Sequence, residues 1–492
     1  MASVEASMIG GGGVAADGAI VEPARTRVPL PVLLLLCGLI VPMFFSLGGL
    51  KLSAYRVVLL LLFLPAFGQW AIGRAGPIRM ADLAIIAFCG WCTLSYVVIH
   101  GTSAGIEGGG ILFVETVGAY MLARVYIRTP EAFYATVRLL FVIVMMILPF
   151  TVFETLTGRN LILEIARAIA SSHNIVDMDK RLGLNRTQGP FPHPIGYGVF
   201  CGSILGLAFF VLGYGQTLFR RVVQTALVTM AAFFSLSSGP LISLAGQIGL
   251  TSYDRIMQGV KARWFLLIGS MALFIMAIEV VAKRNSAEIL ISIAAFSAKT
   301  GLNRLRIFDY GMLSVSNHPM FGVGFGEWER AEHMPKSIDM FWIVAAVRHG
   351  APAGLLLHAF FVLVFIGIAM VPIRNRRIAD YRTGYLISMA GLYAAGWTVH
   401  YWTEVYVLFM FLLGSAIWMM DWREAPVATV TPNRQARPQP VPSVGDVTAA
   451  EQRGQDPVLT LGSEHRVVAA VPEDSPCQPP RVRVVSRRSA RR

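Results

Sequence analysis

Residues 134–155 read YATVRLLFVIVMMILPFTVFET, an apolar run in which Arg138 and Glu154 are the only charges. As a helix rising about 1.5 Å per residue, a run of about 20 residues crosses the hydrocarbon core of a bilayer, roughly 30 Å thick. The same pattern recurs at 30–47, 55–72, 80–99, 110–127, 194–213, 222–236, 239–253, 263–282, 341–371, 383–401 and 404–420, which makes twelve candidate spans. The seventh and eighth are short and joined by SLSSGP (235–240), and the tenth is interrupted by RHGAPAG (348–354), the mark of a surface helix leading into a span. The expected fold is therefore an all-α polytopic membrane protein with one membrane domain over residues 29–420.

Composition agrees with that reading. Of 492 residues, 55% are hydrophobic and 14% charged, and mean hydropathy is +0.60, too little charge for an ordinary soluble surface. Lys and Arg outnumber Asp and Glu by 42 to 29. These cations sit beside apolar blocks and in the last stretch of the chain, the distribution that membrane insertion produces, so no nucleic-acid partner is expected. Five cysteines, at 37, 89, 92, 201 and 477, form no disulfide framework, since four lie inside apolar segments. The CGWC pair at 89–92 has redox spacing but falls near the middle of a span, where a thiol packs rather than reacts. No cleavage signal follows the first apolar block, which reads as an uncleaved span.

With the N-terminus placed inside, alternation puts thirteen Lys or Arg residues in the cytoplasmic loops, from Arg74 and Arg79 through Arg382, against Lys51 and Arg56 in the short outer loops. Both termini are then cytoplasmic. Residues 1–28 and 421–492, poor in sustained apolar faces, read as disordered; the final RVRVVSRRSARR suits either solvent or anionic headgroups. Two long loops, 156–193 and 283–340, fall outside, and ILEIARAIA and LRIFDYGMLSVS within them carry helical periodicity. Amphipathic helices over the outer mouth are expected there.

The polar residues that suggest chemistry lie in those loops. SNHPMFGVGFG (316–326) sets Gly322, Gly324 and Gly326 at alternate positions after His318 and Pro319. It follows no strand and lacks the Lys and Ser or Thr of a nucleotide-binding loop, so its glycines suit tight folding against the bundle. NRTQGPFPHPIGYG (185–198) places Arg186, prolines and His193 at the entry of the sixth span. Alone it is a structural entry; with Arg304 and His318 it allows cations from two loops to meet on one anion, for which guanidinium groups are suited. In KSIDMFWIVAAVRHG (336–350), Asp339 stands at the start of an apolar helix, as an N-cap or as a general base. No clustered acids of the metal-binding type occur in the outer loops, so no divalent ion and no cofactor is expected.

Taken in order, NRTQGPFPHP, SLSSGP, NRLRIFDYGMLSVSNHPMFGVGFGEW (303–328), SIDMFW and GAPAG resemble the O-antigen ligase and polymerase superfamily, membrane enzymes that join or polymerise lipid-linked oligosaccharides. The resemblance covers roughly residues 180–420. It implies a GT-C-like helical bundle in a bacterial inner membrane, with a lipid-linked oligosaccharide donor, a glycan acceptor and a chain-length regulator protein as partners. By the same resemblance Arg304 binds the donor diphosphate, with Phe308 at an aromatic position four residues on. Arg186, Arg306, His318 and the three glycines would contact substrate. Two departures stand out: Ser237, Ser238 and Gly239 replace a Ser-Arg-Gly motif, and Asp339 and Met340 replace a His-Asn pair. Asp339 then takes the catalytic base position, which favours an exopolysaccharide or capsule polymerase over a lipopolysaccharide ligase. The rival class is a transporter or flippase of lipid-linked saccharides. Such proteins show repeated halves and charges deep in spans, whereas here Glu115 and Glu154 are the few acids near span interiors.

Overall fold

Thr129 opens the helix that contains the 134–155 run: its hydroxyl accepts the Ala132 N–H at 3.1 Å and Pro130 occupies the first turn. Gly158, left-handed at φ 77°, ends it by donating its N–H to the Glu154 carbonyl. The computed structural model describes residues 27–47, 50–281 and 298–423. The chain before residue 27 and the tail from 424, both expected to be disordered, lie outside the described residues, as do 282–297 and Cys477.

The described chain is mostly helical. In order run α1 (Leu30–Gly38), the strands β1 (Phe44–Leu47) and β2 (Leu50–Ser53), α2 (Ala54–Ala71), α3 (Met80–His100) and α4 (Thr102–Tyr126), which contains a π-turn at Val114–Gly118. Then come α5 (Pro130–Thr157), α6 (Leu161–Ile169), α7 (Pro194–Leu212), α8 (Leu218–Phe233), α9 (Ser238–Ile256), α10 (Arg263–Val281) and α11 (Ala298–Asn317). The last four are α12 (Phe341–His349), α13 (Ala351–Ala369), α14 (Arg376–Gly396) and α15 (Thr403–Ser415), the latter followed by a 3-10 turn over Ile417–Asp421.

Among the described residues, seven helices are long and apolar enough to cross a membrane: α2, α3, α4, α5, α7, α13 and α15 with its terminal turn. In the windows of α7 and α15, 89% of residues are buried, against 22% for α2, so those two form the centre and α2 the periphery. The first apolar block departs from expectation. Residues 30–47 are not one helix: α1 ends at Gly38, and Phe44–Leu47 pairs antiparallel with Leu50–Ser53, Leu47 opposite Leu50. Pro42, without an N–H and with its ring against the preceding turn, bars the helix from continuing, and a short apolar run is then free to pair as a strand. The long tenth block divides at Gly350 into α12 and α13.

Side-chain contacts sort the helix ends into two faces. On one, Asp421 pairs with both Arg79 and Arg128, Arg377 meets Glu131 at 3.0 Å, and Arg255 meets Asp380 at 3.6 Å. The opposite face holds the β1–β2 hairpin, whose neighbour Met43 bridges to Ser172, together with the turn after α8 and the segments before α12 and α15. All candidate site residues belong to this second face.

Candidate functional site

The turn between α8 and α9, residues 235–238, is a hub for cations. Arg186 donates from Nη2 to the Ser237 hydroxyl at 2.8 Å, Arg304 from Nη2 to the Ser238 hydroxyl at 2.7 Å, and Arg181 from Nη1 to the Leu236 carbonyl at 2.8 Å. Arg304 is buried on α11 and is held a second time, by Nε to the Thr398 carbonyl at 3.1 Å. The turn is preorganised for this: Ser237 donates its hydroxyl to the Ser235 carbonyl at 2.9 Å, and Leu236 adopts φ 46°. Among the described residues the other non-glycine left-handed positions are Leu182, next to Arg181, and Thr403. A bulky side chain in that conformation is strained, and such strain persists only where surrounding contacts impose it.

Three guanidinium groups thus gather from two loops, and the acid beside them is Asp339. It is half-buried; desolvation raises its pKa, opposed by a hydrogen bond from Ser337 and by the charge of Arg304. It does not cap α12: the N-cap is Met340, and no side chain caps that helix. Burial lowers the pKa of Arg304, with Asp339 opposing and Arg181 adding to the fall. Arg186 is brought down to about 10, by burial first and then by Arg181. Counting three cations against one carboxylate leaves a local charge of +2. Like charges crowded in a partly buried site favour an anion between them. Among the described residues, Nη1 of Arg304 and Nη1 of Arg186 have no protein partner, so donors remain for such a ligand.

The segment carrying Arg186 is pinned from α5. The Glu154 carboxylate accepts the N–H groups of Gln188 and Gly189 and the Asn160 amide, each at 3.0 Å. His193 caps α7, its Nδ1 accepting the Ile195 N–H at 3.1 Å. Burial, reinforced by Arg186, lowers its pKa to about 4, so it stays neutral and fit to accept.

Other expected site residues are elsewhere. Arg306 is exposed, because two residues along a helix turn a side chain by about 200° away from Arg304. His318 is exposed beyond the end of α11, and its side chain has no protein partner among the described residues. Phe308 is 38% exposed. The glycine stretch contacts protein through its backbone: Gly322 donates to the His318 carbonyl at 3.0 Å, Gly324 to Arg348 at 2.8 Å and Gly326 to Val323 at 2.9 Å. Val323 and Gly324 thereby satisfy carbonyls in the last turn of α12, which no intrahelical N–H reaches. At φ 67° and 57°, Gly322 and Gly324 take a backbone that other residues resist, and a Cβ on Gly322 would stand 2.5 Å from the Arg348 carbonyl carbon. These amides are spent on the fold and cannot cradle a ligand.

Arg181 was not legible as a site element, and the 235–238 turn entered only as the SLSSGP motif, with nothing in the sequence to show that the arginines meet there. A faint signal exists in RLGLNR (181–186), where Leu182 and Gly183 fold Arg181 back onto Leu184 through an isolated bridge, turning both arginines of the segment to the same hub.

Fold and site together define a mostly helical protein with membrane-length helices and an arginine-lined hub at one face. Comparison with protein-family models gives no match, and a search of curated proteins gives none.

Proposed function

We propose that the protein transfers saccharide units from a lipid-linked diphosphate carrier to a sugar hydroxyl at the outer face of a bacterial inner membrane, as a metal-independent inverting glycosyltransferase. The observation that carries this reading is the convergence of Arg181, Arg186 and Arg304 on one turn with Asp339 beside them. The ordered motifs that resemble the O-antigen ligase and polymerase superfamily support it, and the sorting of helix ends into two faces suits a GT-C-like bundle with both termini cytoplasmic.

In the reaction, the acceptor hydroxyl oxygen forms a bond to the anomeric carbon as the bond from that carbon to the diphosphate oxygen breaks. The electron pair leaves with the carrier diphosphate, and the hydroxyl proton passes to Asp339. Diphosphate is a good leaving group, so the protein chiefly steadies its growing charge; one preorganised donor of this kind is worth about 10² to 10³ in rate. Asp339 as general base adds about 10² to 10⁴.

Purified protein in proteoliposomes, given lipid-linked oligosaccharide and no nucleotide, tests this. Elongated lipid-linked product, dependent on Arg304 and Asp339, is the expected result. Movement of the lipid-linked saccharide between leaflets without elongation identifies a flippase instead.

A further inference from the structure

Beside the arginine hub lies a second feature that the reaction above leaves unused. Between α3, α4, α12, α13 and α15 the protein forms a cavity of about 410 Å³, the size of a small-molecule site. Arg181, Arg186, Arg304 and Asp339 do not line it. Two short segments join it to them. Phe341, two residues past Asp339, forms part of its wall, and His400, two residues past the Thr398 that holds Arg304, forms another part.

The wall combines aromatic faces with charged and polar side chains. Phe325 stacks on Tyr96 at 4.2 Å, and Trp402 stands edge-on to His400 at 4.2 Å. These two rings stay 56% and 49% exposed, so their apolar faces are available to a ligand. Against them stand Arg348, whose Nη1 binds the Gly324 and Gly326 carbonyls, and Glu115, whose Oε1 accepts both Tyr55 and Arg56. Nδ1 of His400 is buried without a hydrogen-bond partner among the described residues. A purely apolar ligand would leave the carboxylate and guanidinium of the wall unused, and an inorganic anion would leave the rings unused. A pyranose has an apolar C–H face for the rings and hydroxyls at its edge for the carboxylate, guanidinium and imidazole.

We propose that this cavity binds a pyranose ring at the acceptor end of the glycan, presenting its hydroxyl across segments 339–341 and 398–400 to the arginine hub. The acceptor role rests on the transfer reaction proposed above; pyranose binding itself does not. Full-length protein in lipid nanodiscs, titrated with glucose, galactose, mannose and N-acetylglucosamine while tryptophan fluorescence is recorded, provides the test. At least one sugar gives a saturable change that disappears in Trp402→Phe and persists in Arg304→Ala. Phe325→Ala weakens that sugar by roughly tenfold, and Phe325→Tyr, which keeps the stack on Tyr96, restores it. No saturable change with any of the four sugars overturns the proposal, as does a change that survives Trp402→Phe and Phe325→Ala, or one abolished by Arg304→Ala. Sugar binding of the expected kind in a protein that elongates nothing retains the cavity and refutes the transfer reaction. Elongation without sugar binding does the reverse.

Discussion

Replacing Arg304 by Ala removes the most tightly held cation of the hub. Two hydrogen bonds go with it, to Thr398 at 3.1 Å and to Ser238 at 2.7 Å. Hydrogen bonds to a charged group contribute about 1.5–3 kcal/mol each. The loss is offset because the guanidinium no longer has to be desolvated and no longer faces Arg181. A net destabilisation of about 1–3 kcal/mol is expected, small enough for the protein to fold. The rate effect is larger: loss of one preorganised donor to the leaving diphosphate costs about 10² to 10³ in kcat, or about 3–4 kcal/mol of barrier. Arg304→Lys keeps the charge but not the planar fork that reaches Thr398 and Ser238 together, so it recovers only part of the rate. The assay is initial-rate elongation of lipid-linked oligosaccharide in proteoliposomes, normalised to folded protein by size-exclusion chromatography. Full elongation by a folded Arg304→Ala protein refutes the assignment of the hub as the diphosphate site.

Further expectations follow the same geometry. Because burial raises the pKa of Asp339, and a base acts only when ionised, activity falls as pH drops through a value above the usual carboxylate pKa of about 4; Asp339→Asn loses about 10² to 10⁴ in rate and the acid limb of the pH profile with it. Arg181→Ala leaves two cations in the hub, so donor KM rises by about tenfold while acceptor KM holds; an unchanged donor KM places Arg181 outside the binding machinery. Glu154→Ala strands the N–H groups of Gln188 and Gly189 at about 1–3 kcal/mol each, and limited proteolysis should cut residues 176–185 faster; unaltered protection argues against the pinning role. Gly322→Ala forces a Cβ to 2.5 Å from Arg348 at φ 67°, costing roughly 1–3 kcal/mol, to be read as a lower thermal midpoint; an unchanged midpoint shows that the loop over residues 316–326 does not depend on that backbone conformation.

Hydropathy made the long helices visible because a run such as 134–155 has one physical explanation at that length. It failed at 30–47, where the apolar count is the same for a helix and for a helix followed by a hairpin; Pro42 was the cue, and a sum over a window hides it. Arg304 and Asp339 were named through the ordered motifs that carry the family resemblance, Asp339 also for its place at the start of an apolar helix. Arg306 and His318 were named for proximity in sequence, which helical rotation and the end of α11 undo. The glycines looked like an anion cradle because their permissive backbone serves either use, and only the partner carbonyls on α12 distinguish them. Arg181 was invisible for the opposite reason: its partner is a backbone carbonyl 55 residues away, which has no residue-type signature.

Asp421 has a bearing on how the chain comes together. It is the acid that Arg79 and Arg128 share, and it lies more than 290 residues beyond both. During synthesis those two cations emerge long before their counter-charge, so the early helices wait with an open seam until nearly the whole described chain has left the ribosome. Closure of the bundle is thus a late event in biogenesis, and a chain cut short before residue 421 should be recognised by quality-control proteases even though every earlier helix has been made.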